Sequence, residues 1–245
     1  MSARHNSVWL VPRPGAPAQA AVVGVLDRTT YRQLRDRLLE FAVDAEDGVL
    51  VDIERLDLRD HALTRVFALV ALRIADWPAV PFALVTGRPE QRAVLAARAV
   101  DRRVPVYADV GAAEAALTRP ARRRAGRVLD RSTGASARAR AFVRGTCAEW
   151  MVPELAEDAE LVATEFVENT LRHTDSEPRL RLELRRGKLA VEVADTSSRA
   201  AVLREGLDLA SVGLGLRMVT KVAKTWGCSR RRSGGKTVWA VLARA

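Results

Sequence analysis

The most constraining feature of this sequence is a change, halfway along the chain, in the order in which strand-like and helix-like segments follow one another. In the first half, short apolar runs of strand length alternate with segments of helical period. In the second half, two helical segments come first and strands with alternating apolar residues follow. A chain of 245 residues is long enough for two domains with separate cores. We therefore expect two domains of different fold class.

The first half of the chain, residues 1–118, predicts an α/β domain. Strands separated by single helices imply a largely parallel sheet whose faces are covered by the helices. After an apolar start at residues 8–11, the predicted strands are residues 21–26, 49–53, 82–86 and 104–107, and the predicted helices are residues 31–43, 63–76, 89–100 and 112–117.

An arginine-rich stretch follows, and we assign residues 119–136 to a linker because Pro120 and the later Ser and Gly residues break the pattern. Residues 119–144 hold nine Arg against one acid, Asp130, in a chain whose net charge is +10. Only four of the 40 basic residues are lysine, which indicates a coding bias towards arginine more than a phosphate-binding surface. The charge therefore does not favour nucleic-acid binding.

The second half, residues 137–245, predicts an α+β two-layer sandwich. Helices that lie on one side of a mostly antiparallel sheet give this architecture. The Arg186-Gly187 pair predicts a hairpin turn. The predicted helices are residues 137–150, 157–173 and 212–224, and the predicted strands are residues 179–185, 188–194, 226–232 and 236–242.

Membrane, export and zinc or disulfide classes are disfavoured. No run approaches the roughly 20 consecutive apolar residues that cross a bilayer, and the first 14 residues lack the apolar core of an export signal. Cys147 and Cys228 are the only cysteines and form no CxxC pair. We expect a cytoplasmic protein that does not bind a membrane.

A ridge of polar residues lies along the helix predicted at 157–173. Glu165, Asn169 and His173 follow one another at i, i+4 spacing, so they share one side of the helix. Asn has a poor helix propensity, so its alignment with Glu165 indicates a specific task. An amide oxygen suits Mg²⁺ bound to nucleotide phosphates, and Glu165 suits either proton transfer from a hydroxyl or support of the metal ligands. An amphipathic surface helix is the alternative interpretation.

Three later segments add ligand-binding chemistry. Asp195 ends an alternating strand, where its carboxylate is placed to accept a hydrogen bond from an adenine amino group. Gly213 and Gly215 open the next helix and would let backbone N–H groups approach phosphates. Thr237, on the closing strand, is expected to share a water or base contact with Asp195. Taken one at a time, these segments are also typical of ordinary turns and hairpins.

In this order, the four segments resemble those of the GHKL (Bergerat-fold) ATPases, in particular the small anti-sigma-factor serine/threonine kinases. The resemblance covers about half the chain and implies a histidine-kinase-like ATPase domain whose cofactors are ATP and Mg²⁺. It makes Asn169 the magnesium ligand and Glu165 the general base, with His173 in the same helical box.

The same resemblance assigns the remaining segments to the nucleotide. It makes Asp195 the adenine-binding residue, Gly213 and Gly215 the glycine box beside an ATP lid at residues 196–211, and Thr237 a second group in adenine recognition. One departure stands out: the family at large has Asp-x-Gly-x-Gly, whereas Asp195 is followed here by Thr-Ser-Ser-Arg, without a glycine.

The first half resembles, more loosely, the STAS domains of anti-sigma-factor antagonists. It shares their β/α alternation and a strand at residues 51–53 that leads to a loop and a helix. The family loop carries a phosphorylatable Ser, but residues 59–64 read Arg-Asp-His-Ala-Leu-Thr here. The resemblance therefore implies a degenerate STAS-like domain that docks on the kinase or on another protein, and Thr64 as a substitute phosphoryl acceptor is the alternative.

Together the resemblances imply a regulator that transfers the γ-phosphoryl group of Mg·ATP to a Ser or Thr of a STAS-domain anti-sigma-factor antagonist. A sigma factor is a further implied partner, and a homodimer is an implied state because such kinases often dimerise. One alternative is a non-catalytic module in which nucleotide occupancy switches a docking surface. Another is a basic nucleic-acid binder that uses residues 119–144.

Overall fold

The computed structural model describes residues 7–117, 122–197 and 214–243. Its contacts divide the chain into two compact units, Met1–Arg119 and Pro120–Ala245. Each unit has its own five-stranded sheet and its own hydrophobic core. Within the described ranges, no helix is both long enough and apolar enough to cross a membrane.

The first unit is built on a mostly parallel sheet in which the strands lie side by side in chain order, β1-β2-β3-β4-β5. Only β1 and β2 pair antiparallel; the other neighbours are parallel. In chain order the elements are β1 (Val8–Arg13), β2 (Ala18–Val25), α1 (Tyr31–Val43), β3 (Val49–Asp57), a 3-10 helix (His61–Thr64), α2 (Arg65–Asp76), β4 (Phe82–Val85), α3 (Pro89–Ala97), β5 (Val106–Tyr107) and α4 (Val110–Ala116).

Strand β3 shows why both faces of this sheet are covered. Val49 and Val51 are buried in the main core with residues of α1 and α2, whereas Leu50 is buried in a smaller cluster with Ala113 of α4. Successive side chains of a strand point to opposite faces, so an apolar run without polar alternation needs helices on both sides. The largely parallel sheet predicted for this half is confirmed.

Residues 61–64, which include the alternative phosphoryl acceptor Thr64, form the short 3-10 helix after β3. Asp60 caps it by accepting a hydrogen bond from the Ala62 N–H at 3.0 Å. Thr64 is completely buried, and its hydroxyl donates to the His61 carbonyl at 2.8 Å. A buried hydroxyl with an intramolecular partner is a poor phosphoryl acceptor, so the structure argues against Thr64 in this role.

The second unit is an antiparallel sheet in the order β6-β7-β8-β10-β9. Every neighbouring pair in it is antiparallel. In chain order the elements are β6 (Arg123–Val128), α5 (Ala135–Glu149), a 3-10 helix (Pro153–Leu155), α6 (Ala156–His173), β7 (Arg179–Arg185), β8 (Lys188–Asp195), α7 (Leu214–Val222), β9 (Thr225–Arg230) and β10 (Lys236–Ala243).

One face of this sheet carries the core of the second unit. Alternate residues of β8 and β10 point to the same side and form one cluster with buried residues of α5, α6 and α7. The helices therefore lie on one face of the sheet, as the sequence predicts. The predicted hairpin is also confirmed: Arg186 and Gly187 both have positive φ, +48° and +72°, between paired residues Arg185 and Lys188.

The structure differs from the sequence-based prediction at residues 119–136. Strand β6 lies inside this stretch and pairs with β7, so it is not a linker throughout. The sequence does not predict this strand because its arginines leave no apolar alternation, but an edge strand tolerates charged side chains well. Arg124 uses its charge internally, since its Nε donates to the buried Glu183 carboxylate of β7 at 2.6 Å.

Other arginines of the 119–144 stretch also have partners within the unit. Arg131 donates to the carbonyl groups of Leu171 and Ser176 near the carboxyl end of α6, the latter at 3.2 Å. Arg144 of α5 makes two hydrogen bonds with Glu160 of α6, at 2.9 and 2.6 Å. These contacts give the arginine-rich stretch a structural use in fixing α6.

Arg131→Gln is expected to lower the free energy of unfolding by about 1–2 kcal/mol, because the carbonyl groups near the end of α6 lose a charged donor. Denaturant unfolding followed by circular dichroism measures this. Arg123→Gln, at an exposed position of β6, is the matched control and is expected to change stability by less than about 0.5 kcal/mol. Equal losses in the two variants would contradict the structural role of Arg131.

Candidate functional site

Helix α6 carries the predicted polar ridge beside its buried face. Phe166 and Val167 are buried in the core, so the helix has one fixed rotation over the sheet. Glu165 and Asn169 lie half-buried on the flank of that face, and His173, in the last turn, is exposed. The structure therefore places all three predicted residues on one helix, with His173 at its solvent end.

Gly215, in the first turn of α7, lies directly against Glu165. A Cβ built on Gly215 would overlap the Glu165 carboxylate. A glycine at this position lets the α7 backbone approach the Glu165 carboxylate closely. The sequence predicts a close approach of this glycine to phosphate, but not its contact with Glu165. Gly213, the other predicted glycine, lies outside the described residues.

The surroundings of Glu165 raise the pKa of its carboxyl group. Burial is the main cause of a raised pKa for this carboxyl, and the nearby Glu168 carboxylate raises the pKa further, while Arg172 acts in the opposite direction. Within the described ranges, no basic group lies within ion-pair distance of Glu165. A half-buried carboxylate with a raised pKa suits a group that accepts a proton during a reaction.

Asn169 follows Glu165 by one turn of α6. Within residues 7–117, 122–197 and 214–243, no protein group makes a hydrogen bond with its side-chain amide. No set of three or more His, Cys, Asp or Glu side chains is grouped as a metal site in these ranges either. An amide oxygen can nevertheless contribute one ligand to a hard cation whose other ligands are phosphate oxygens and water, which is the chemistry predicted for Asn169.

Asp195 ends β8 on the face of the sheet against which α6 packs. Its side chain is almost completely buried, with 1% exposed. Oδ1 accepts a hydrogen bond from the Ser197 N–H at 2.9 Å, and Oδ2 lies 3.1 Å from Nζ of Lys236. The predicted adenine-binding carboxylate therefore points into the layer between the sheet and α6 and carries a basic partner.

Thr237 does not share this face, which corrects the role predicted for it. In the pairing of β8 with β10, Asp195 stands opposite Lys236, and Thr237 stands opposite Ala194. Because neighbouring residues of a strand point to opposite faces, the Thr237 side chain points away from Asp195. Thr237 is buried on the other side of the sheet and cannot share a base or water contact with Asp195.

Lys236 is the site residue that the sequence analysis missed, although the signal was present. Val238 and Ala240 of β10 are core residues, and Val193 of β8 is another. With a period of two, the face that holds Val238 also holds Lys236, and the face that holds Val193 also holds Asp195. The alternation alone thus pairs Lys236 with Asp195.

Two contacts at the end of β8 fix the position of Asp195. The Thr196 N–H donates to the Ser176 hydroxyl at 3.0 Å, which joins the end of β8 to the loop after α6. Gly235 has a φ of +79°, and a Cβ there would overlap the Asp195 carbonyl oxygen. Only a glycine accommodates both conditions, so the turn before β10 sets the approach of Lys236 to Asp195. Of the predicted lid at 196–211, only Thr196 and Ser197 lie within the described residues.

The first unit has a cleft of about 450 Å³ at the carboxyl end of β3. Its lining includes Arg55, Asp57, His61, Arg88 and Glu90. The charges are of both signs, so the lining does not point to one class of ligand. No sequence motif predicts this cleft.

Comparisons with known proteins do not assign a family to the chain. No family model matches the chain, and no curated protein matches it. Among solved structures, the crystal structure of an anti-sigma factor antagonist from Mycobacterium paratuberculosis is 17% identical to this chain with a TM-score of 0.41. The similarity covers 48% of this chain and 98% of that chain. At this level of similarity the family of the chain stays unassigned.

Glu165→Gln is expected to raise the melting temperature at pH 7, because the amide removes a carboxylate whose charge is disfavoured in the folded state. A raised folded pKa means that the folded protein binds this proton more tightly than the unfolded chain does. The difference between the two proteins should therefore shrink as the pH falls through the raised pKa towards the usual glutamate value. Thermal unfolding at a series of pH values measures it; a lower melting temperature for the variant at pH 7 would contradict the assigned environment.

Gly215→Ala is expected to push the Glu165 carboxylate away from α7 and towards solvent, so that its pKa returns towards the usual range. Carboxyl titration by NMR measures this shift. Gly145→Ala is the matched control, because this exposed glycine in α5 has no atom within 4 Å of the added Cβ. The control should leave the pKa of Glu165 unchanged and stabilise the protein by about 1 kcal/mol. An unchanged pKa in Gly215→Ala would contradict the contact.

Proposed function

We propose that the second unit binds Mg·ATP and transfers its γ-phosphoryl group to a Ser or Thr hydroxyl of a partner protein. The observation that carries the proposal is the Glu165 carboxylate, which lies half-buried, with a raised pKa, against the backbone of Gly215 and one turn from Asn169. The resemblance to the anti-sigma-factor kinases supplies the partner class, a STAS-domain antagonist in a regulatory pathway.

The residues of α6 have distinct tasks in this proposal. The amide oxygen of Asn169 would hold Mg²⁺, and the ion would neutralise charge on the phosphate oxygens. Glu165 accepts the proton of the acceptor hydroxyl as the hydroxyl oxygen bonds to the γ-phosphorus. The bond between that phosphorus and the bridging oxygen breaks, and ADP leaves with the electron pair. Positioning and charge neutralisation therefore supply most of the catalysis.

Asp195 gives the proposal its base-binding group. Its carboxylate lies at the end of β8, on the side of the sheet that α6 covers, so it and the α6 ridge belong to the same layer. Within the described residues each oxygen of the carboxylate has one partner and keeps a further lone pair, because a carboxylate offers about four acceptor sites. An exocyclic amino group of a base is the donor that fits such an acceptor.

Glu165→Gln is expected to lower the rate of phosphoryl transfer about 10²–10⁴-fold, as loss of a general base does, while the affinity for Mg·ATP changes little. The measurement uses radiolabelled ATP and a STAS-domain protein that has a phosphoacceptor serine, with calorimetry for binding. Glu157→Gln, an exposed acid in the first turn of α6, is the control and should keep both properties.

The same experiment separates transfer from nucleotide-gated docking. Wild-type protein that binds Mg·ATP and the partner but transfers nothing would support the non-catalytic module. Wild-type protein that binds no nucleotide would overturn the proposal as a whole.

Asn169→Ala is expected to remove the part of the ATP affinity that depends on Mg²⁺, because the variant lacks the proposed amide ligand of the ion. Titrations of ATP with and without Mg²⁺ measure this part of the affinity.

A further inference from the structure

Asp195, the base-binding group of the proposed function, forms a buried ion pair with Lys236, which has no task in that proposal. Nζ and Oδ2 are 3.1 Å apart, and the exposed fractions of the two side chains are 11% and 1%. Burying two charges is costly unless they are paired and hydrogen-bonded. A pair in such surroundings is therefore either a structural contact or part of a binding site.

The surroundings of the pair are poorly hydrated. Val238 follows Lys236 by two residues on β10, and Cys228 of β9 stands opposite Val238. Burial raises the pKa of the Cys228 thiol to about 11. A hydrogen bond formed in such a place is stronger than one in water. A ligand that satisfied both members of the pair would therefore gain specificity as well as affinity.

The pair has hydrogen-bonding capacity left over. An ammonium group has three donors, of which Asp195 takes one, and each Asp195 oxygen keeps a lone pair beside its existing partner. The two side chains thus present a donor next to an acceptor. Their order is fixed, because the register holds Lys236 opposite Asp195 and the Ser197 N–H holds Oδ1.

A donor next to an acceptor matches the pairing edge of adenine, on which the 6-amino group donates and the adjacent ring nitrogen N1 accepts. We infer that Lys236 determines base specificity: its ammonium donates to N1 of adenine while Asp195 accepts from the 6-amino group. This inference rests on the proposed function and names the residue that takes over the task predicted for Thr237.

Guanine is the instructive contrast because it reverses this order. Its 6-oxo group accepts where adenine donates, and its N1–H donates where adenine accepts. In the orientation that suits adenine, guanine would set its oxygen against the Asp195 carboxylate and its N1–H against the Lys236 ammonium. Sites that hydrogen-bond a substrate group discriminate strongly against analogues that leave buried partners unmatched.

The test compares ATP with 1-deaza-ATP, in which a C–H group replaces N1 and nothing else changes. By calorimetry with Mg²⁺ present, wild-type protein is expected to bind 1-deaza-ATP at least about 10-fold more weakly than ATP, as one charged hydrogen bond requires. Lys236→Met should weaken ATP binding by a similar factor and bind the two nucleotides alike. Thr237→Val, on the opposite face of the sheet, is the matched control and should behave as wild type.

The outcomes separate this inference from the proposed function. Equal affinity of the wild-type protein for ATP and 1-deaza-ATP overturns the role of Lys236 and leaves ATP binding in place. Tighter ATP binding in Lys236→Met, which would mean that the ion pair obstructs the base, also overturns it, as does tighter binding of GTP than of ATP. Failure of wild-type protein to bind any nucleotide overturns the proposed function itself. If Lys236→Met does not fold, the two nucleotides on wild-type protein still decide.

Discussion

The packing of α6 against the antiparallel sheet is the constraint on which the candidate site depends. Phe166 and Val167 are buried among the alternate apolar residues of β8 and β10, and this fixes the rotation of the helix. With the rotation fixed, Glu165 and Asn169 can only lie on the flank, where the α7 backbone meets the carboxylate. The arginines that tie α6 to α5 and hold its carboxyl end therefore act on the site through the position of one helix.

The carboxylates of Asp195 and Glu165 differ in whether a neighbouring group compensates their negative charge. Asp195 has a basic partner and a backbone donor, so its burial is compensated. Glu165 has a raised pKa, and burial and the charge of Glu168 are the causes. In the proposed function, base recognition is the task of Asp195 at the end of the sheet, and proton transfer is the task of Glu165 on the helix.

The parts of this fold that the sequence predicts are those with a strong period. The strand at residues 179–185 and the helix α1 have the predicted bounds, because apolar alternation and helical period are unambiguous there. Strand β6 was missed, since an edge strand rich in arginine lacks apolar alternation. The role predicted for Thr237 is wrong because the strand period of two puts Lys236, and not Thr237, on the same face as Asp195. The contact of Gly215 with Glu165 joins residues 50 positions apart and has no local signal.

The environment of Glu165 bears on whether the site performs chemistry or serves only as a switch. A docking surface gated by a nucleotide needs recognition groups, and Asp195 with Lys236 would supply them without any contribution from Glu165. A carboxylate whose charge is disfavoured by burial and by a neighbouring carboxylate lowers the stability of the fold. Folds hold such groups mainly where function requires them. A site that only binds would make no use of the environment of Glu165 beside Gly215, whereas the proposed proton transfer would use it.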